Sequence, residues 1–80
     1  MYELHATDEF LADAKKLDGS MRERLKKAIG KIRDNPERFK HLRHGMPEFS
    51  VRFEVYRVLY CIEKNRIELL RVGKRDEIYR

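Results

Sequence analysis

Four cationic side chains lie near the ends of neighbouring predicted strands, with a tyrosine just beyond them: Arg52, Arg57, Lys74, Arg75 and Tyr79. Arginine grips a phosphate through a two-pronged guanidinium that stays charged at every physiological pH. Several cations at one end of a sheet can therefore bind a phosphodiester and stabilise the negative charge that grows as it is cleaved. A tyrosine beside them can stack on a base or align it.

The same residues have an ordinary structural interpretation. A cluster of exposed basic side chains is most often a solvated face with ion pairs, and Glu54, predicted to lie opposite Arg57, is the obvious partner. His41 and His44 could transfer protons near neutral pH, or could simply lie on a loop surface. The sequence shows no nucleophile–base pair, phosphate-binding loop or metal-ligand spacing, so we expect no cofactor and no metal.

Two helices are predicted in the first half of the chain. Thr7 or Asp8 can cap the first helix, which ends near Asp18-Gly19. The second begins with a capping box at residues 20–23 and ends just before Pro36. Because the link between the helices is short, we expect them to form an antiparallel hairpin.

Four strands complete the prediction, in the order β-α-α-β-β-β. This order indicates an α+β fold, a small antiparallel β-sheet with the N-terminal helical hairpin on one face. The connector from Asn35 to Glu48 should contain one turn of helix. The strands are expected at residues 1–6, 49–54, 56–62 and 66–72.

Two turns set how the last three strands pair. A two-residue loop at Val55-Tyr56 would place Glu54 opposite Arg57 and would leave one apolar face for the helices. A turn at Lys64-Asn65 would place Leu70 opposite Leu59. The face away from the helices would then carry an apolar patch, covered either by a protein partner or by the connector. Its members are Leu59, Cys61, Leu70 and Val72.

Length and charge limit the class of protein. Eighty residues, 41% hydrophobic and 41% charged, suffice for a single domain at residues 1–80 and exclude a two-domain enzyme. The net charge of +5 favours a polyanionic partner, either nucleic acid or an acidic protein. Between Arg22 and Arg33 the second helix has one acid, Glu23, among six cations, which form either a solvated face or a surface for a phosphate backbone. These cations are Arg22, Arg24, Lys26, Lys27, Lys31 and Arg33.

Targeting signals are not apparent in the sequence. Cys61 is the single cysteine, which fits a reducing compartment. No apolar run approaches the roughly 20 residues that cross a bilayer, and the N-terminal residues lack a secretion signal. We therefore expect a cytoplasmic protein without membrane contact.

The chain resembles the RelE/ParE toxin superfamily. The resemblance is carried by Leu42-Arg43-His44-Gly45-Met46-Pro47-Glu48, Tyr56-Arg57-Val58-Leu59-Tyr60, Arg71-Val72-Gly73-Lys74-Arg75 and Glu77-Ile78-Tyr79. The Gly-Met-Pro segment is typical of the RelE branch. That branch comprises ribosome-dependent endoribonucleases of type II toxin–antitoxin modules, which cut mRNA in the ribosomal A site. The 2′-hydroxyl of the messenger attacks the adjacent phosphate, and no metal is used.

The resemblance implies roles for three of the residues named above and a departure at a fourth, Arg52. Arg57 would stabilise the phosphorane-like transition state, Arg75 would act near the leaving 5′-oxygen, and Tyr79 would position the substrate base. The family's strand carries two lysines, one of them proposed as general base, where this chain has Ser50 and Arg52. An arginine is a poor base because its pKa exceeds about 12.

The departure at Arg52 leaves three alternatives. Lys74, Glu54 or a histidine replaces the missing base, or charge stabilisation and orientation carry most of the rate, or this toxin is weak. The resemblance also leaves two rival functions open. The ParE branch shares the fold and inhibits DNA gyrase by protein binding, and a degenerate toxin could retain only binding of an antitoxin or RNA.

The resemblance implies two kinds of partner. A cognate acidic antitoxin would cover the apolar patch at Leu59, Leu70 and Val72. Messenger RNA and ribosomal RNA would contact basic side chains outside the catalytic set. These are Arg22, Lys26, Lys27, Lys31, Arg33, Arg43 and Lys74.

Overall fold

A computed structural model describes residues 2–41 and 48–78, apart from the side chains of residues 40 and 41. It contains three helices, five strands and one 3-10 turn within those ranges. The helices are α1 (Asp8–Lys15), α2 (Gly19–Asp34) and α3 (Arg75–Ile78), and the 3-10 turn spans Pro36–Arg38. The strands are β1 (Glu3–Ala6), β2 (Lys40–His41), β3 (Phe49–Phe53), β4 (Tyr56–Glu63) and β5 (Arg66–Lys74).

The helical hairpin forms as predicted, and each of its helices has a side-chain cap. Thr7 caps α1 by accepting a hydrogen bond from the backbone N–H of Phe10 at 3.1 Å. The cap of α2 is Asp18, which accepts from the N–H of Met21 at 2.8 Å, so the predicted capping box at Ser20 is wrong. An aspartate serves well here because its negative charge lies at the positive end of the helix.

The fold is α+β, and its sheet is mixed rather than wholly antiparallel. The strand order is β1-β5-β4-β3-β2, and every neighbouring pair is antiparallel except β1 with β5. In that parallel pair Glu3 lies opposite Arg66 and Ala6 lies opposite Leu69. The helical hairpin carries the chain away from β1, which lets β1 lie along the edge of β5 in the same direction.

The core lies between the helices and one face of the sheet. Ile32 of α2 is fully buried, as are Val58, Tyr60 and Ile67 of the sheet. The ring of Tyr60 stacks on Phe49 with centroids 5.1 Å apart. Its hydroxyl donates to the carbonyl oxygen of Pro36 at 2.5 Å, and burial raises its pKa. The 3-10 turn is thereby tied to the core.

The turn between β3 and β4 lies one residue earlier than predicted. It comprises Glu54 and Val55, and Phe53 pairs with Tyr56. Glu54 adopts a left-handed backbone conformation, with φ of 53°. The pairing is displaced by two residues from the predicted one, so the predicted faces are preserved although the individual partners change.

The turn between β4 and β5 forms at Lys64-Asn65 as predicted, but β5 contains an irregularity. Tyr60 pairs with Leu69 and Leu59 with Arg71, so Leu70 is an extra residue. Such a bulge reverses the facing of every later residue in the strand.

The bulge removes the predicted outer apolar patch. Val72 is 2% exposed and belongs to the core, so its predicted place in an antitoxin-binding patch is wrong. Leu59 keeps its predicted face but is only 6% exposed, and Leu70 and Cys61 are half-buried. Leu59 therefore does not form the open surface that the sequence suggested.

Candidate functional site: a basic sheet end

Two arginines stand opposite each other on the face of the sheet away from the helices. Arg52 of β3 and Arg57 of β4 are direct cross-strand partners. Their strand neighbours Val51 and Val58 are in the core, which places the arginines on the other face. Like charges directly opposite each other destabilise a sheet. The two positive charges therefore repel each other, and a phosphate between the two side chains would attract both.

The next strand brings further cations to the same end of the sheet. Arg57 pairs with Gly73, and Tyr56 pairs with Lys74. Arg75 follows at once as the first residue of α3. The backbones of Arg52, Arg57 and the Gly73–Arg75 segment thus lie close together at one end of the sheet, but Lys74 pairs with Tyr56 and lies on the face opposite to the two arginines. The register that does this is not the predicted one, in which Arg57 lay opposite Val72.

Helix α3 folds back over this sheet end because residue 73 is a glycine. A β-carbon built at Gly73 would lie 3.0 Å from Cγ2 of Ile78. Ile78 is buried, and the carboxylate of Glu77 accepts from the N–H of Lys74 at 3.3 Å. The close approach of Ile78 to the sheet sets where α3, and with it Arg75, leaves the strand.

Glu54 is not the partner of Arg57 that the predicted register gave it. Its carboxylate instead binds the guanidinium of Arg24 on α2, with Nη1 and Oε2 3.0 Å apart. Both side chains are about half exposed, so this pair contributes little stability. The structural interpretation of the arginines as one half of a Glu54–Arg57 ion pair is therefore wrong.

A basic groove of about 650 Å³ adjoins Arg52, between α2 and the edge of β3. Five cations line it against two carboxylates, Glu23 and Glu54, and two phenylalanines contribute aromatic surface. Its cationic lining comprises Arg24, Lys27, Lys31, Arg38 and Arg52. The contribution of Arg38 was missed from sequence, because nothing in the connector's composition indicates that the 3-10 turn brings this residue beside α2.

The predicted RNA-binding residues of α2 separate into two groups. Lys27 and Lys31 line the basic groove. Arg22 donates from Nε to the carbonyl oxygen of Leu17 at 2.8 Å and so closes the helical hairpin. Lys26 lies 3.6 Å from the carboxylate of Glu23 on the exposed side of the helix, and Arg33 is also exposed.

Lys74 lines a second groove, of about 480 Å³, at the free edge of β5 beyond the end of β1. Its lining also includes Tyr56, Arg71 and Asp13. Tyr79, Arg43 and His44 lie outside the described residues, as does the side chain of His41.

An acidic residue missed from sequence lies beside this second groove. Asp13 of α1 is 9% exposed, and both of its oxygens accept hydrogen bonds from Arg71, at 2.6 and 3.2 Å. The hydrogen bond that Arg71 donates to Asp13 raises the pKa of Arg71. The signal was present, because Asp13 falls on the apolar helix face between Phe10 and Leu17, where a carboxylate must have a partner.

Comparison with known proteins decides the family. The chain matches the protein-family model described as the ParE toxin of the type II toxin–antitoxin system parDE, over residues 4–79. The chain belongs to this family of toxins. The resemblance to the RelE/ParE superfamily is thereby confirmed. A comparison with curated protein sequences gives no match.

Solved structures of RelE toxins share the fold of this toxin. The toxin in the Mycobacterium tuberculosis RelBE2 complex is 30% identical, with a TM-score of 0.80, 92% of this chain and 98% of that chain being covered. Isolated Escherichia coli RelE is 28% identical, with a TM-score of 0.81 and coverage of 99% and 92%. The matching chain in the intact E. coli RelBE complex is 28% identical, with a TM-score of 0.78, and the match covers 92% of this chain and 96% of that chain.

The described part of the toxin lacks two features. Within residues 2–41 and 48–78, no three His, Cys, Asp or Glu side chains are placed to hold a metal ion. In the same ranges, no helix has the length and apolar character needed to span a bilayer.

Proposed function

We propose that this toxin is a ribosome-dependent endoribonuclease that cleaves mRNA in the A site. The observation that supports it best is the pairing of Arg52 with Arg57 next to the strand end from which Arg75 follows. A phosphodiester gains negative charge on its non-bridging oxygens as a nucleophile adds. Guanidinium groups gathered by the sheet offer hydrogen bonds and positive charge where that charge develops.

The proposed reaction is an internal transfer at phosphorus. The 2′-oxygen of the messenger loses its proton to water and bonds to the adjacent phosphorus, the bond from phosphorus to the 5′-oxygen breaks, and that oxygen takes up a proton from water. The products are a 2′,3′-cyclic phosphate and a 5′-hydroxyl. Arg57 stabilises the five-coordinate transition state, Arg75 faces the leaving oxygen, and Tyr79 aligns the base. The chemistry needs neither cofactor nor metal.

Arg52 contributes charge rather than a base in this proposal. Outward-facing positions of β3 and β4 around Arg57 are occupied by Ser50, Arg52 and Leu59, none of which accepts a proton readily near neutral pH. Catalysis would rest on charge stabilisation and on alignment of the 2′-oxygen, so we expect a slower enzyme than a relative with lysines at these positions.

An acidic antitoxin is the proposed protein partner. The RelE relatives from E. coli and M. tuberculosis were solved in complexes named RelBE, and the net charge of +5 suits an acidic segment. Of the three predicted contacts, the half-buried Leu70 is the one whose exposure still allows it. Action on ribosomes would take place in the cytoplasm.

Substitution of the two central arginines tests the nuclease. Arg57→Ala and Arg75→Ala should each abolish growth arrest and reduce cleavage by roughly 100-fold or more, because each removes charge stabilisation from the transition state. The measurement is the mapping of mRNA 5′ ends on purified ribosomes, with circular dichroism to confirm folding. Lys64→Gln, at the opposite end of the sheet, is the control and should cleave normally. Undiminished cleavage in both arginine variants would refute the site.

Gyrase inhibition is the second candidate, because the matched family model is named for ParE. A supercoiling assay with purified gyrase, run beside a translation assay, separates the two. Inhibition of supercoiling without mRNA cleavage would favour the ParE function. If the toxin neither inhibits supercoiling nor cleaves mRNA, its fold serves only to bind a partner.

A further inference from the structure

The bulge in β5 is held from outside the strand by helix α1. Thr7, the cap of α1, donates its hydroxyl proton to the carbonyl oxygen of Leu70 at 2.9 Å. Its backbone N–H donates to the carbonyl oxygen of Leu69 at 3.0 Å. Leu70 is the extra residue of the bulge. The start of α1 therefore binds β5 at the point where the register shifts.

Asp13 holds the residues that follow the bulge. One of its oxygens, Oδ2, accepts from Nε of Arg71 at 2.6 Å and from the backbone N–H of Val72 at 3.1 Å. Its other oxygen accepts from Nη2 of Arg71 at 3.2 Å. Strand β1 has already ended at this point, so Asp13 supplies the hydrogen-bond acceptor that a neighbouring strand would otherwise provide.

The register set by these contacts decides the geometry of the basic sheet end. Without the extra residue, Arg57 would face Val72, and the Val72 side chain would occupy the face of the arginines. With it, Arg57 faces Gly73, and the absence of a side chain lets Ile78 and α3 close over the strand. Arg75 leaves the strand from the position that this register gives it.

We propose that Asp13 is a positioning residue for the reaction, acting through Arg71 and Val72 on the segment Gly73–Arg75. The inference rests on the proposed nuclease function. Asp13 does not touch the basic sheet end itself, and its contribution is to hold the bulge in one register. Packing alone does not require a carboxylate in this nearly buried place, since apolar residues replacing Asp13 and Arg71 together could fill it at no loss of stability.

Asp13→Asn is the test variant. The amide keeps the size of the side chain but has one acceptor and no charge. If its oxygen accepts from Nε of Arg71 and the N–H of Val72, its NH2 group faces Nη2 of Arg71, and two donors cannot bond. Misplacement of catalytic groups by about 1 Å costs up to about 100-fold in rate. We expect single-turnover cleavage on ribosomes to fall about 10- to 100-fold, while the toxin concentration giving half-maximal rate stays within about threefold, since the basic groove is intact.

Asp18→Asn is the matched control. It makes the same substitution at the cap of α2, where asparagine caps as well as aspartate. Amide hydrogen exchange by NMR gives a readout independent of activity. Exchange at Val72, Gly73 and Lys74 should accelerate in Asp13→Asn and should remain at the wild-type rate in Asp18→Asn. A global loss of stability would instead accelerate exchange across the whole core.

The outcomes separate this inference from the proposed function. Wild-type cleavage rate and unchanged exchange at residues 72–74 in Asp13→Asn would overturn the positioning role, as would a loss confined to affinity.

If Asp13→Asn does not fold, Arg71→Lys replaces it, since it removes the guanidinium fork and leaves the Asp13–Val72 bond. Local acceleration with reduced rate in that variant supports the role, and normal rate overturns it. If the wild type does not cleave, the nuclease proposal fails, and exchange alone decides whether Asp13 holds the register.

Discussion

At the scale of single residues, repulsion between the paired arginines opposes folding, whereas their combined positive charge would serve the proposed function. Arg52 and Arg57 face each other across two strands, so that their like charges repel. Arg24 and Glu54, which border the same groove, form an attractive pair instead. The two pairs lie close together, and the first is repulsive while the second is attractive. The effects of substitutions in them on stability can therefore be compared directly.

Arg52→Gln is therefore expected to stabilise the fold while it weakens the proposed nuclease. Relief of the repulsion should raise the free energy of unfolding by about 0.2–1 kcal/mol at low salt. The lost bond from Nε to the carbonyl oxygen of Glu54, 3.3 Å long and exposed, offsets little of this. Urea denaturation measures the change, which should shrink as salt screens the charges.

Arg24→Gln is the counterpart, since it removes an attractive pair. It should lower the unfolding free energy by up to about 1 kcal/mol at low salt and by less at high salt. If both variants changed stability in the same direction, the repulsion between Arg52 and Arg57 would be disproved.

Cys61 offers a test at another residue on the same face. Burial raises the pKa of its thiol, and the carboxylates of Glu68, Glu48 and Glu63 raise it further. Because the thiolate is the reactive form, iodoacetamide should alkylate the folded toxin more slowly at pH 8 than the urea-unfolded chain. The pH midpoint of alkylation should also be higher, and Glu68→Gln should lower it. Equal rates for the folded and unfolded chains would contradict this.

At the scale of elements, local sequence patterns predicted the features that residues close together in the chain determine. The two helices, their hairpin and the Lys64-Asn65 turn follow from local periodicity and turn chemistry. The parallel pairing of β1 and the extra residue at Leu70 depend on partners about 60 residues away in the chain, so no local pattern indicates them. The arginines could be selected from the sequence as candidate site residues. The residues that lie opposite them depend on the strand register, which local patterns do not determine.

Two glycines of this fold should respond in opposite ways to the same substitution. Gly30 lies within α2 with nothing near its would-be β-carbon, so Gly30→Ala should raise the unfolding free energy by roughly 1 kcal/mol through helix propensity. Gly73→Ala should not share this gain, because its methyl group would press on Ile78. Thermal denaturation and cleavage assays check the pair, and only Gly73→Ala should lose activity. Full activity in Gly73→Ala would show that the packing of α3 against Gly73 does not affect cleavage.

At the scale of the whole molecule, the basic groove is assembled from separate parts of the chain. Helix α2 provides Lys27 and Lys31, the 3-10 turn provides Arg38, and β3 provides Arg52. Composition indicated a polyanionic partner for the molecule as a whole. Only the packing of α2 against β3 shows which lysines share a groove with Arg52 and which face solvent elsewhere.

The salt dependence of RNA binding should therefore depend on where charge is removed, and not only on how much. Each phosphate contact to a single strand contributes about 0.7 to the slope of log K against log salt. The double variant Lys27→Gln/Lys31→Gln should lower that slope by about 1.4 if each lysine meets one phosphate. Fluorescence anisotropy with a short labelled RNA measures it. Lys15→Gln/Lys64→Gln removes the same charge from exposed positions outside the groove lining and should barely change the slope. Equal reductions in both double variants would show that net charge, rather than the groove, attracts the RNA.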